Sequence, residues 1–165
     1  MSAALTEQAA GLAIDGACRE LRLPTVRAQH AELADGAARD GLSHRAFLAE
    51  ILAAEVEERD ARRRARRITE ARFPRTKTLA DFDLAAAATI VPASLAALSG
   101  LAWITAGEPV VLIGDPGTGK SHLLIGLGMA ACEEGLRVRY VTTAGLVNEL
   151  AEAADEKVLA RTVAR

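Results

Sequence analysis

Gly114, Asp115, Pro116, Gly117, Thr118, Gly119, Lys120 and Ser121 form the stretch on which the reading of this chain turns. Its spacing is G-x-x-x-x-G-K-[ST], that of a phosphate-binding loop. Val110 to Ile113 before it is a short apolar block of strand type, and His122 to Cys132 after it is an apolar run of helix length. Strand, glycine-rich turn and helix are the setting in which this spacing acquires chemical meaning. Glycine reaches backbone angles that side chains block, so successive N–H groups can converge on one concavity. The helix that follows leaves its first N–H groups free, and its dipole favours an anion there. Lys120 is then placed to reach the β- and γ-phosphates of a nucleotide, and Ser121 to put its hydroxyl on Mg²⁺. Gly114 through Ser121 are thus the candidate contacts for ATP and Mg²⁺, with His122 beside them as a packing or outer contact.

The chain has 165 residues, of which 50% are apolar but only 3% aromatic. Much of the apolar share is alanine, which favours helices and leaves large side chains scarce. A net charge of −2 conceals a strongly basic segment. Between Arg59 and Lys77 stand nine basic residues (Arg59, Arg62, Arg63, Arg64, Arg66, Arg67, Arg72, Arg75 and Lys77) against two acidic ones, Asp60 and Glu70. Few acids lie at helical spacing to answer them, so contact with DNA phosphates competes with a solvated, self-paired helix face. Arg62, Arg63, Arg64, Arg66 and Arg67 are the candidate DNA contacts. No aromatic residue is interleaved before Phe73, which argues against base stacking and for backbone positioning.

Cys18 and Cys132 are far apart and suggest neither a zinc site nor a disulfide framework, so a reduced cytoplasmic setting is expected. The N-terminus shows no basic patch followed by an apolar run, which argues against a signal peptide. Leu84 to Gly107 carries no charge over a length that could span a bilayer. Pro92, Gly100 and abundant alanine favour a buried helix and loop instead, and no membrane span is expected.

Residues 1–72 read as helical. Leu5, Leu12, Ala13, Ala17, Glu20 and Leu21 give a weakly amphipathic first helix. Pro24 fits the first turn of a second helix, with Val26, Leu33 and Ala37 on one side and Gly41 as its stop. Ser43 fits as N-cap of a third, whose buried face is read as Phe47, Leu48, Ile51, Leu52 and Val56. Phe73-Pro74 ends that helix. Residues 73–106 read as a linker and lead-in helix, with Asp81, Phe82 and Asp83 as a docking contact and Ser94 to Leu98 as a short helix. Residues 107–165 read as β-α-β-α: strands at Val110 to Ile113 and Val138 to Val141, a helix stopped by Gly135, a helix from Ala144 to Ala154 capped by Thr143, and a last helix from Asp155. The expected fold class is α/β, an N-terminal all-helical domain followed by part of a P-loop parallel-sheet domain.

Further pieces carry a resemblance that covers the chain from about residue 12 onward. They are Glu20 to Pro24; Phe47 to Leu52 with the arginine run; Ala71 to Asp83, containing Phe73-Pro74 and Lys77-Thr78-Leu79; Trp103-Ile104; Gly117 to Leu123; and Gly135 to Tyr140. With these the chain resembles the IstB-like family of insertion-sequence transposition helpers, AAA+ ATP-binding proteins related to the DnaC-type helicase loaders. The resemblance implies an AAA+ type fold, ATP and Mg²⁺ as ligands, DNA and a transposase as partners, and assembly of the chain with itself. It also suggests that Phe82 approaches the adenine base.

The chain departs from the family in three ways, the first being Asp115 where a second proline or similar residue is common. Ser121 stands where threonine is common, with the same hydroxyl. The family's strand ending in Asp-Glu, its sensor residue and its arginine finger have no counterpart here, so the chain resembles a member truncated before the Walker B strand. Those parts hold the metal's second side and position water, so no catalytic residue is assigned and only trace ATP turnover is expected. Two other readings share these motifs: a helicase loader in DNA replication partnered by a replicative helicase, and a non-catalytic truncated remnant with an incomplete nucleotide site.

Overall fold

A computed structural model describes residues 6–84, 87, 90–156 and 159–163. Eight helices are assigned among them: α1 (Glu7–Glu20), α2 (Pro24–Arg39), α3 (His44–Ala71), α4 (Pro92–Ser99), α5 (Ala102–Thr105), α6 (Lys120–Glu133), α7 (Thr143–Asp155) and α8 (Leu159–Val163). The chain divides into two compact units, Met1–Arg63 and Arg64–Arg165, and the division falls inside α3. The end of α3 at Ala71 matches the stop expected from Phe73-Pro74.

In the first unit each helix boundary has a local cause. Thr6 caps α1 by accepting from the Ala9 N–H at 3.3 Å. Arg22, at φ +57°, turns the chain out of α1, and the Leu23 N–H bonds back to the Cys18 carbonyl at 2.8 Å. Pro24 opens α2, and Gly41 at φ +65° closes it with the Leu42 N–H on the Ala37 carbonyl. Ser43 accepts from the Ala46 N–H at 3.2 Å and caps α3 as expected.

The core of this unit is Cys18, Val26 and Ile51, with Leu23, Leu33 and Phe47 packed against them. The buried face is narrower than the apolar periodicity predicts. Leu12, Leu21, Leu48, Leu52 and Val56 are 45–71% exposed, and Leu5 lies outside the described residues. One stripe of α3 is covered, running Phe47, Ile51 and then Glu55 at one helical turn each. Two short neighbours cannot cover a wider face.

Glu55 is the unexpected member of that stripe, being only 3% exposed. Its Oε2 accepts the N–H groups of Thr25 at 2.8 Å and Val26 at 3.2 Å. These are first-turn donors of α2, whose own N-cap, Leu23, offers no side-chain acceptor. On its Oε1 side Glu55 receives Arg59 at 3.1 Å and Arg62 at 3.4 Å. Burial pushes the Glu55 carboxyl up, but the Val26 and Thr25 N–H groups, with Arg59 and the Thr25 hydroxyl, outweigh it and hold it below the ordinary glutamate value.

The second unit is organised on α6, which buries Leu123, Ile125, Gly126, Leu127, Met129, Ala131 and Cys132. Leu101, Leu123, Leu127 and Ala131 form its core, flanked by residues from the linker, α4, α5 and the segments on either side of α6. Buried Leu101 takes φ +56° between α4 and α5, and Trp103 anchors that corner by donating its indole N–H to the Leu98 carbonyl at 3.0 Å. α6 ends at Gly135, φ +90°, with N–H bonds from Gly135 and Leu136 onto Cys132 and Ala131. Thr142, one residue before the expected cap, accepts from the Gly145 N–H at 3.1 Å and starts α7. Both threonines suit a cap, and the one still in extended backbone, ψ 154°, takes the role.

The expected parallel sheet is not seen among the described residues: Val110 to Ile113 and Val138 to Val141 carry no strand assignment. A strand is defined by ladder bonds to a neighbour, and none joins these two segments. The second is tied elsewhere, with the Tyr140 N–H on the Ala71 carbonyl at 2.8 Å and its ring edge-on to Phe73 at 6.1 Å. Val111 and Ile113 stay 75% and 91% exposed. No helix among the described residues is long and apolar enough to cross a membrane.

Candidate functional site

The loop before α6 is shaped by its glycines. Gly117 and Gly119 take φ +82° and +86°, left-handed values that strain any residue with a Cβ. Gly119 is also the N-cap of α6 and has no side chain to cap it, so the first N–H groups of α6 open into the loop. The resulting cleft of about 600 Å³ is lined by Gly114, Pro116, Gly117, Thr118, Gly119, Lys120, Ser121 and His122. Asp115 does not line it. Its carbonyl instead accepts from the Thr118 hydroxyl at 2.9 Å and from the Lys120 ammonium.

Lys120 folds over this loop. Its Nζ donates to the Gly114 carbonyl at 2.8 Å, to the Asp115 carbonyl and to the Thr118 hydroxyl at 3.2 Å. The three ammonium donors are thereby satisfied by the loop itself. Phosphate oxygens entering the cleft would exchange for these acceptors and gain a charge-assisted bond. Ser121 also lines the cleft. Among the described residues no group of three or more His, Cys, Asp or Glu side chains could hold a metal.

The linker supplies what the motif alone did not show. Phe82 lies over Gly119, where an added Cβ would meet its ring at 2.9 Å. The same ring stands edge-on to His122, at 5.4 Å and 87°. His122 Nε2 bonds to the Thr78 carbonyl at 2.9 Å, so the linker is tied to the first turn of α6 from both sides. Thr78 and Asp81 hold the intervening turn reciprocally, hydroxyl to carboxylate at 2.6 Å and Asp81 N–H to hydroxyl at 3.2 Å. The Thr78 hydroxyl and then its N–H hold the Asp81 carboxyl below its ordinary value. Leu79 and Phe73 fill the notches at Gly126 and Gly128, where a Cβ would come within 2.9 Å of each.

The basic run is less free than its count implies. Arg59 and Arg62 are drawn to Glu55, with Arg59 also on the Arg22 carbonyl at 2.9 Å and Arg62 on the Thr25 hydroxyl at 3.3 Å. Arg63 pairs with Asp60 at 3.3 Å and Arg66 with Glu70 at 3.5 Å. Arg67 sets its guanidinium 3.7–3.9 Å from where a Cβ of Gly135 would stand, beside the C-terminus of α6. There a cation is favoured by the helix dipole. Arg64 is half-buried on α3.

Glycine turn, cleft, lysine and following helix together define a P-loop unit. A family model described as "IstB-like ATP binding protein" matches residues 16–165. This chain belongs to that family. It is 37% identical over 147 residues to an insertion-sequence ATP-binding protein of Sinorhizobium fredii, covering 88% of this chain and 49% of the relative. It is 32% identical over 139 residues to the ATP-binding protein of insertion sequence IS5376 of Geobacillus stearothermophilus, covering 84% and 55%. Against the ATP-binding protein of insertion sequence IS21 of Pseudomonas aeruginosa it is 38% identical over 129 residues, covering 78% and 49%. The chain thus spans about half the length of the curated relatives it matches.

Proposed function

We propose that this chain binds Mg-ATP at Gly114 to Ser121 and serves an insertion sequence as a DNA-binding helper that works with a transposase. The observation that carries the reading is the cleft at the head of α6, which two left-handed glycines, free helix N–H groups, Lys120 and Ser121 line together. That set fits a triphosphate: backbone donors for its oxygens, an ammonium for its charge, and no carboxylate in the lining. Mg²⁺ fits as an ion carried by the nucleotide, held by Ser121 and phosphate oxygens, with water completing its shell. The relatives' names support the association with an insertion sequence.

The reading extends to a parallel sheet, for which Val110 to Ile113 and Val138 to Val141 have the extended, apolar character, and to self-assembly in the cytoplasm. DNA contact is proposed for the basic segment Arg59 to Lys77, including Arg62, Arg63, Arg64, Arg66 and Arg67. The pairs Arg63–Asp60 and Arg66–Glu70 are exposed and worth little against a phosphate, whereas Arg62 is held by the buried Glu55. The test is Lys120→Ala with a fluorescent ATP analogue. Affinity should fall by at least tenfold, since a charge-assisted contact is worth roughly 1.5–3 kcal/mol. Unchanged binding would remove the site assignment.

A further inference from the structure

The geometry points to the linker strip Arg72, Arg75 and Lys77, rather than the arginines of α3, as the principal contact of this chain with the DNA backbone. The inference rests on the DNA-binding part of the proposed function and locates it. Of the nine basic residues between Arg59 and Lys77, four are committed to carboxylates, Arg67 lies against the end of α6, and Arg64 stands alone and half-buried on α3. Among the described residues, Arg72, Arg75 and Lys77 have no carboxylate within 4.0 Å. Glu70, two residues before Arg72, is paired with Arg66, and Asp81, four after Lys77, acts on Lys77 only through space and is itself held by Thr78.

These three cations also share a shaped surface in the second unit. Arg72 and Arg75 line a cleft of about 310 Å³ with Ile68, Thr69, Phe73, Thr76 and Met129. Arg75 and Lys77 line the next, of about 220 Å³, with Ser121, His122 and Tyr140 among its other walls. Arg75 belongs to both, so the clefts adjoin there. Arg72 and Arg75 are exposed and Lys77 half-buried. No carboxylate lines either cleft. Cations in tandem, with Thr69 and Thr76 in the same lining, suit successive phosphates of one strand. The contact is with backbone, so it positions DNA without reading sequence. The second cleft shares Ser121 and His122 with the P-loop cleft, which brings the bound strand to the wall of the nucleotide site.

The test measures duplex DNA affinity of the full chain against salt. It compares wild type, R72Q/R75Q/K77Q, the paired-arginine control R62Q/R63Q/R66Q and the charge-keeping R72K/R75K/K77R. Three lost phosphate contacts lower the slope of log affinity against log salt by about 2.7, since each contributes about 0.9. Between 50 and 200 mM salt, wild-type affinity should then fall about 40-fold more than that of the linker variant. The charge-keeping variant should retain the wild-type slope, and binding of the ATP analogue should stay within twofold in all of them. A control-variant effect equal to or larger than that of the linker variant would overturn the inference while leaving DNA binding in place. So would loss of nucleotide affinity in the linker variant, which would assign the strip to the nucleotide. Wild-type protein that binds no DNA would remove the DNA reading itself.

Discussion

Glu55→Ala should destabilise the helical unit far more than its position in an acid-rich stretch suggests. The substitution removes the acceptor for two first-turn N–H groups of α2, at 2.8 and 3.2 Å. Each buried donor left without a partner costs about 1–3 kcal/mol. The two arginines that also lose their partner have side chains 41% and 50% exposed, so water replaces the carboxylate there at little cost. Partial entry of water at the vacated site lowers the sum, and about 2–4 kcal/mol is expected. For a unit of this size each kcal/mol moves Tm by about 4–8 °C. Thermal melting by far-UV circular dichroism, with hydrogen exchange at the Thr25 and Val26 amides, reads the effect at both scales. The amides should exchange at least about 30-fold faster, the ratio that 2 kcal/mol implies.

The comparison is Val56→Ala on the exposed face of α3, where the change should stay within about 0.5 kcal/mol. A Glu55→Ala effect no larger than that would refute the capping argument. The pH dependence has a definite sign. The folded-state pKa is depressed, so the contribution is present above the unfolded-state value and is lost as pH falls through the folded one. The difference between wild type and Glu55→Gln should therefore shrink on acidification below the ordinary glutamate range.

Two further outcomes probe the second unit. Gly128→Ala places a Cβ 2.9 Å from the Phe73 ring. Because alanine ordinarily favours helix over glycine by about 1 kcal/mol, a net loss of about 1–3 kcal/mol in a denaturant titration would show the notch, and a gain would deny it. Cys132 is fully buried, and burial raises its thiol pKa against the opposing pull of Arg67. Labelling by a thiol reagent should be slow in the native protein and prompt in denaturant; fast native labelling would contradict the packing of α6.

What the sequence disclosed is what depends on neighbours in the chain. The P-loop, Ser43, Pro24, Gly41 and Gly135 are local devices, and each stands where its residue type requires. Glu55 was hidden because its partners are the amides of residues thirty positions earlier. Two signals could have exposed it: Leu23 before Pro24 leaves α2 without a side-chain cap, and Glu55 continues the Phe47, Ile51 stripe by one turn. Gly126 and Gly128 looked only like weak points of a helix, since Leu79 and Phe73 approach from the linker. The two apolar segments around α6 have strand composition, but a strand exists only with a partner, and composition carries no information about that. In the basic run Glu55, Asp60 and Glu70 answer four arginines, three of them at helical spacing, and only Arg62, seven residues from Glu55, is paired beyond it.

The strap of linker across α6 has spare length. Phe73 seats at Gly128 and Phe82 at Gly119, nine residues apart on both the linker and the α6 segment. Nine residues of helix rise about 13.5 Å, whereas nine extended residues reach about 30 Å. The turn clasped by Thr78 and Asp81 takes up part of that excess. The linker therefore meets α6 at three seats, Phe73 at Gly128, Leu79 at Gly126 and Phe82 at Gly119, and the last of them rests on the glycine that opens the nucleotide cleft.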